Sequence, residues 1–314
     1  MLKKIIVAGM LAISALPVLA KEISFGIIAT DSASAQRDRW EPFFRDMEKA
    51  TGLTVKSFYA PDYAGVIEAM RFNKVQVAWY GNKAAMEAVD RADGEVFAQV
   101  VYADGSLGYY SLLITHKDSP YNNLDDVIKN GKNINFGIGD PNSTSGFLVP
   151  SYYAFAQKKI DPREVFKTVR NASHGANIQA VLAKQVDVAT NNTEEIDRLK
   201  ATKPELAADI KVIWKSPLIP SDPFVWRKDL DQNSKDKIKK FVLNYAKSNP
   251  AEKEVLKNIY NYGGFKASTN AQLNPIRQLE LFKERRKVEI DSSLSDADKA
   301  KKLSEIDASI AKIK

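Results

Sequence analysis

The chain of 314 residues has no cysteine and two histidines, His116 and His174. Without cysteine there is no disulfide, no thiol nucleophile, no thiolate metal site and no iron–sulfur cluster. Two histidines leave little room for a multi-histidine metal centre, so neither a metal nor another cofactor is expected. Glycine and proline are modest at 15 and 13 residues, which excludes collagen-like and low-complexity chains. Charge of one sign is also lacking. The 46 basic and 39 acidic residues are interleaved, and no basic groove motif stands out, so nucleic acid is not an expected partner. With 44% apolar and 27% charged residues the chain reads as folded rather than disordered. At roughly 150 residues per domain its length allows about two domains, each with its own core.

Long hydrophobic runs are missing except at the N-terminus. Met1-Leu-Lys-Lys gives a short positive region, followed by an apolar run from Ile5 to Ala20 that ends in small residues before Lys21-Glu22. The pattern predicts a cleaved export signal over residues 1–20. The alternative is an uncleaved anchor, but a run interrupted by Gly, Ser and Pro falls short of the ~20 residues a spanning helix needs. The lipoprotein route requires a cysteine after the signal, and there is none. The mature chain, with 44 basic against 39 acidic residues, is therefore expected free in a periplasm and not lipid-anchored.

After the signal, strand and helix patterns alternate. Ile23–Ile28 reads as a buried strand, and Trp40, Phe43, Phe44 and Met47 recur at helical spacing until Thr51-Gly52. Leu53–Tyr59 alternates as a strand, Tyr63–Phe72 reads as a helix, and Val75–Ala78 is a strand feeding a helix over Asn82–Val89. This order predicts βαβ units and a mainly parallel sheet. A second set echoes the first: Ile134-Asn-Phe-Gly-Ile138 repeats Ile23-Ser-Phe-Gly-Ile27, and Lys184–Ala189 repeats Lys74–Ala78. Strands near 96–102, 109–115 and 213–219 are placed to cross between two lobes. Such an arrangement makes a hinge with a cleft, and in open parallel sheets ligands sit beyond the carboxyl ends of the strands.

The most informative stretch is Gly137-Ile-Gly-Asp-Pro-Asn-Ser-Thr-Ser-Gly146. It leaves a strand and offers Ser143, Thr144 and Ser145 where a helix should begin, which suits an anion. One hydroxyl is an ordinary N-cap, whereas three in succession plus Gly exceed what a cap needs. It is neither a Walker loop nor a serine-hydrolase elbow. His174 falls in a polar turn before a helix, either as a solvated loop histidine or as a donor closing over the anion. Glu194 and Glu195 in a first helical turn are ordinary dipole partners, and Asp222 before Pro223 is a routine turn former. Tyr63, Tyr80 and Tyr109 fit either core or cleft. At the tail, Ser295 and Asp298 read as a helix start. Leu303, Ile306, Ile310 and Ile313 form a stripe to be covered by the chain's own body or by the same helix of a second copy, a possible homodimer.

At these segments the chain resembles the periplasmic phosphonate-binding subunits of ABC importers. The matching stretches are Ala60-Pro-Asp-Tyr-Ala-Gly65, Met70-Arg-Phe-Asn-Lys-Val75, Ala78-Trp-Tyr-Gly-Asn82, Gly139–Pro150, Val186–Glu194 and Trp214–Pro223, within a similarity that runs from about Phe25 to Phe282. The resemblance implies a type II periplasmic binding fold of two α/β lobes joined by crossing strands, with a C-terminal helical tail. Its implied layout is a signal over 1–20, a first lobe from 21–110 and 221–282, a second lobe over 111–220 and a tail over 283–314. It further implies that Ser143, Thr144, Ser145 and His174 hold phosphonate oxygens, with Tyr63 and Tyr109 facing the ligand from either side. Tyr80 is added as a cleft-lining residue. Glu194 and Asp222 are implied to receive the amine of 2-aminoethylphosphonate. The expected function is a non-catalytic receptor that hands a phosphonate to an inner-membrane ABC permease. The alternatives are an enzyme on the same fold with His174 as acid–base, or a module feeding a membrane sensor.

Overall fold

In a computed structural model, the described residues are 21–313, so the expected export signal lies outside them. Ser32 accepts a hydrogen bond from the Ala35 amide and opens the helix Ala33–Thr51, which Gly52 ends in the left-handed region at φ 68°. Trp40, Phe43, Phe44 and Met47 lie on its buried face, as their spacing requires. They pack with Phe25, Trp79, Phe224 and Phe265 into an aromatic core whose ring centroids lie 4.9–6.4 Å apart.

Strands β1 (Glu22–Ile27), β2 (Thr54–Tyr59), β3 (Val77–Trp79), β4 (Gly94–Tyr102), β5 (Gly108–Tyr109) and β6 (Ser111–His116) come first. They are followed by β7 (Asn135–Ile138), β8 (Thr168–Asn171), β9 (Val188–Asn192), β10 (Ile210–Lys215), β11 (Ile219–Pro220), β12 (Pro223–Arg227) and β13 (Tyr262–Ala267). Two large sheets result, ordered β13-β4-β12-β3-β1-β2 and β10-β6-β9-β7-β8. Each is mixed rather than mainly parallel. In the first, β1 runs parallel to β2 and β3 while β12 is antiparallel to both β3 and β4. In the second, β7 is parallel to β8 and β9 while β6 is antiparallel to β9 and β10. The reason is the crossing itself, because a strand arriving from the other lobe enters its new sheet reversed. The short sequence echoes have a structural meaning. Ile23–Ile27 and Ile134–Ile138 form the parallel centres β1 and β7, and Lys74–Ala78 and Lys184–Ala189 lead into the equivalent strands β3 and β9.

Between the sheets, β5 pairs antiparallel with β11, Tyr109 opposite Ile219 and Gly108 opposite Pro220. A side chain at Gly108 would meet the Ile219 carbonyl oxygen at 2.6 Å, so glycine is what lets the two crossings touch. The second lobe is packed on both faces of its sheet. Along β6, Leu113 joins Phe136, Phe155, Phe166 and Val188, while Leu112 and Ile114 join Ile178, Val181 and Ile196 on the other side, following the period-2 alternation of a strand.

The tail is a helical hairpin, Asn274–Ile290 and Asp296–Lys312, with Ser295 capping the second helix through the Asp298 amide. Ile276 and Leu279 are buried, Arg277 makes a two-pronged pair with Asp90 at 2.6 Å, and Phe282 stacks on Tyr152. The stripe of Leu303, Ile306 and Ile310 is half-buried where the last helix packs on its hairpin partner. Of the two expected covers the chain supplies its own, and the stripe gives no ground for self-association.

Trp40 is fully buried at the centre of the first lobe. Trp40→Ala is expected to lower the unfolding free energy by about 3–5 kcal/mol, read from the midpoint of a urea denaturation curve.

Candidate functional site: a closed interlobe cleft

Four helix starts converge between the lobes. Tyr63–Arg71 and Asn82–Arg91 belong to the first, and the helical segments beginning at Thr144 and at His174 belong to the second. Ser143 caps its own helix through the Gly146 amide at 2.9 Å, and the first turns are π-helical, with the Leu148 amide donating to the Ser143 carbonyl at 3.1 Å. Such a start leaves its leading amides free over one residue more than an α-helix does. Gly139 and Gly146 make this loop possible. Their backbones lie so close that a Cβ on Gly139 would come within 2.6 Å of Gly146, and a Cβ on Gly146 within 3.0 Å of the His174 ring.

His174 is the first residue of its helix and is buried, not a solvated loop residue. Its Nε2 lies 3.4 Å from both Ser143 Oγ and Ser145 Oγ, and its Nδ1 is buried without a hydrogen-bond partner. Burial pushes its pKa down to about 4, so the ring is neutral at physiological pH. Ser145 Oγ also accepts from Asn192 at 3.2 Å, while Thr144 Oγ1 accepts the Lys83 amide of the opposite lobe at 2.8 Å. Tyr63 N–H donates to Asp140 Oδ2 at 3.2 Å, and Gly175 N–H to the Thr30 carbonyl at 3.1 Å. These cross-lobe bonds define a closed cleft. Between the lobes they enclose a small cavity lined by Tyr63, Tyr109, the three hydroxyl residues, His174, Glu194 and Asp222.

The same cavity is also lined by acids. Glu194 reaches in from the helix Thr193–Thr202, which Asn192 caps, and Asp222 from the turn before β12. Burial raises the Glu194 carboxyl to about 7; the Tyr102 and Tyr262 hydroxyls act against that shift and the Glu195 charge adds to it. Burial, then the neighbouring Glu194 charge, hold Asp222 well above the carboxylate range, and its Oδ1 has no hydrogen-bond partner. Burial likewise keeps the Tyr63 and Tyr109 phenols protonated, with Tyr63 beside Ser143 and Tyr109 between Ser145 and Asp222. The cavity thus gathers helix-start amides, hydroxyls and two acids without a basic partner, with no Lys or Arg among its described lining residues.

A third carboxylate, Glu195, also lines the cavity but is fully answered. Its Oε2 accepts from Arg198 at 2.7 and 2.8 Å, and its Oε1 accepts from the Tyr260 hydroxyl at 2.9 Å. Arg198 also lies 3.4 Å from Asp31 of the first lobe, which Arg39 grips from its own side. Tyr260 in turn accepts from Arg39 at 2.7 Å. This buried cluster spans both lobes and closes one wall of the cleft.

Of the residues read from the sequence, Ser143, Thr144, Ser145, His174, Tyr63, Tyr109, Glu194 and Asp222 come together around one cavity. Tyr80 does not. It is fully buried in the first lobe, with its hydroxyl donating to the Val66 carbonyl at 3.0 Å. Its neighbours Trp79, the last residue of β3, and Gly81, the cap of the next helix, line the cavity, while the Tyr80 side chain between them is buried in the lobe. Thr30, Tyr102, Asn192, Tyr260, Tyr262 and the two arginines were missed. Asn192 alone sits in a recognisable motif, as the helix cap after β9. Among the described residues no group of three His, Asp or Glu side chains is arranged to hold a metal ion.

Two mixed α/β lobes joined by crossing strands and closed over a polar cavity make a periplasmic binding protein fold. Residues 25–273 match the family of periplasmic substrate-binding proteins of phosphonate ABC transporters. A phosphonates-binding periplasmic protein of Escherichia coli (strain K12) is 56% identical over 290 residues, covering 92% of this chain and 85% of that protein. The crystal structure of a binding-protein component of an ABC phosphonate transporter from Pseudomonas aeruginosa superimposes with a TM-score of 0.91. Its sequence identity is 53%, and the match covers 94% of this chain and 97% of that one. A Prochlorococcus marinus protein solved with methylphosphonate shares the fold at a TM-score of 0.73 and 21% identity, over 82% and 97% of the two chains. The chain belongs to this family: it is the periplasmic phosphonate-binding component of an ABC transporter and not an enzyme. Among the described residues, no helix is long and apolar enough to cross a membrane.

The cluster around Glu195 touches both lobes, so it favours closure whatever the ligand. Arg198→Gln removes the contact with Asp31 of the first lobe, which forms only when the cleft shuts, at a cost of about 1 kcal/mol, or roughly fivefold in affinity. Calorimetry with several ligands is expected to show a similar loss for each; a loss confined to one ligand would argue against the cluster acting through closure.

Proposed function

We propose that the protein captures an aminoalkyl phosphonate, with 2-aminoethylphosphonate as the best fit, by closing its lobes over it, and delivers it to an inner-membrane ABC permease. Export by a cleaved signal over 1–20 and the division into lobes over 21–110 with 221–282 and over 111–220 belong to the same reading. The phosphonate would lie on Ser143, Thr144, Ser145 and His174 with Tyr63 and Tyr109 beside it. The ammonium would lie between Glu194 and Asp222. The observation that carries this reading is the pair of buried acids without a basic partner that share one cavity with the converging helix starts.

The physics of that arrangement selects a zwitterion. Helix-start amides and hydroxyls favour negative charge, and hydrogen bonds to a charged group contribute about 1.5–3 kcal/mol each. Neutral His174 offers a ring N–H without adding a fixed charge. Closing over a ligand with no amine leaves the two carboxylates to share a proton or repel. An uncompensated buried charge costs roughly 2–5 kcal/mol. Isothermal titration is therefore expected to show 2-aminoethylphosphonate binding at least thirtyfold more tightly than ethylphosphonate or phosphate. Equal affinities for the three would remove the amine pole from the reading.

The pH dependence follows from the raised acid. In the closed cleft without a cation, Glu194 holds its proton up to about 7, against an ordinary 4.5. That form is favoured below the ordinary value and loses its advantage as pH rises through 7. A bound ammonium favours the ionised form instead. The affinity advantage of wild type over Glu194→Gln for 2-aminoethylphosphonate is expected to be small near pH 4.5 and to grow up to about pH 7. Titrations at fixed ionic strength over that range test it, and a flat ratio would place the amine elsewhere.

A further inference from the structure

We infer that the Tyr102 and Tyr262 hydroxyls, reaching across from the opposite lobe, are positioning groups that pin one oxygen of Glu194 and hold it as an acceptor for the ligand's cation. The inference rests on the amine pole proposed above. Tyr102 is the last residue of β4 and Tyr262 the first of β13, and the two are paired in register with their rings nearly edge-on at 5.7 Å. Their hydroxyls donate to the same atom, Glu194 Oε1, at 2.8 and 3.3 Å. Doubling the donors on one oxygen fixes the plane of the carboxylate and leaves Oε2 for the cavity that Glu194 lines.

The backbone shows how this is built. Asn261, between Tyr260 and Tyr262, has a φ of 56° in the left-handed region, which asparagine tolerates better than most residues. The corner sends both flanking tyrosines to the second lobe, Tyr260 to Glu195 and Tyr262 to Glu194. The outcomes differ because Glu195 also has Arg198, whereas Glu194 has hydroxyls only. The charged or titratable groups set around Glu194 are Glu195, Asp222, Tyr109 and the two phenols, none of them a cation. Hydroxyl donors are thus what opposes burial in keeping Glu194 ionised without an arginine that would compete with the ligand's amine.

The test is calorimetry with 2-aminoethylphosphonate and ethylphosphonate between pH 5 and 9 on wild type, Y102F, Y262F, the double variant and E194Q. Removing hydroxyls alone keeps both rings and their packing. The double variant is expected to lose at least ten times more affinity for the amine ligand than for ethylphosphonate at pH 7. Its deficit should shrink towards pH 9 as Glu194 ionises unaided, and Y102F should exceed Y262F, following the shorter bond. Equal losses for both ligands with an unshifted pH profile would reduce the tyrosines to cross-lobe packing and overturn the inference while leaving the amine pole standing. Wild-type affinity for 2-aminoethylphosphonate in E194Q would instead remove the amine pole itself.

Discussion

Glu194 and Asp222 are buried together in one closed cavity, and most of the site is organised around that cost. Taking carboxylates out of water is unfavourable unless a proton or a cation goes with them. The phenols and the imidazole beside them are driven the same way: Tyr63 and Tyr109 keep their protons and His174 loses its own. The closed protein is therefore polar without being ionic, apart from the two acids and the neutralised Glu195. Its fields come from helix ends and hydroxyls, which are fixed by the fold and need no reorganisation when charge arrives.

The neighbours Glu194 and Glu195 show how finely this is set by geometry. Adjacent residues on a helix point about 100° apart, so one faces the paired tyrosines of β4 and β13 and the other faces Arg198 and Tyr260. Two chemically identical side chains thus divide two tasks, Glu195 tying the lobes and Glu194, in the function proposed above, receiving the ligand's amine. The separation keeps the strength of closure from depending wholly on what is bound.

Much of this was legible in the sequence, and the physical reason differs by residue. The lobes could be read because strand and helix periods are local, and the hydroxyl run 143–145 because a helix start is a local event. Glu194 and Asp222 could be named only through the resemblance, since an acid in a first turn or before proline is ordinary. Tyr80 was misplaced by one step, because just past β3 the cavity takes its neighbours Trp79 and Gly81 and the lobe takes Tyr80. Tyr102 and Tyr262 carried no signal. They meet Glu194 from 92 and 68 residues away, and only the assembled sheet brings β13 beside β4.

That sheet has a further consequence in time. β12 lies between β3 and β4, and β13 closes the edge beyond β4, yet both are made after the entire second lobe. The first lobe can have no complete sheet until the chain has been synthesised past residue 267. Pairings of such long sequence separation form slowly, because the loop between them must be closed first. A chain wired in this way completes its lobes in inverted order: the second, contiguous from β6 to β10, has all its strands long before the first, which was begun earlier.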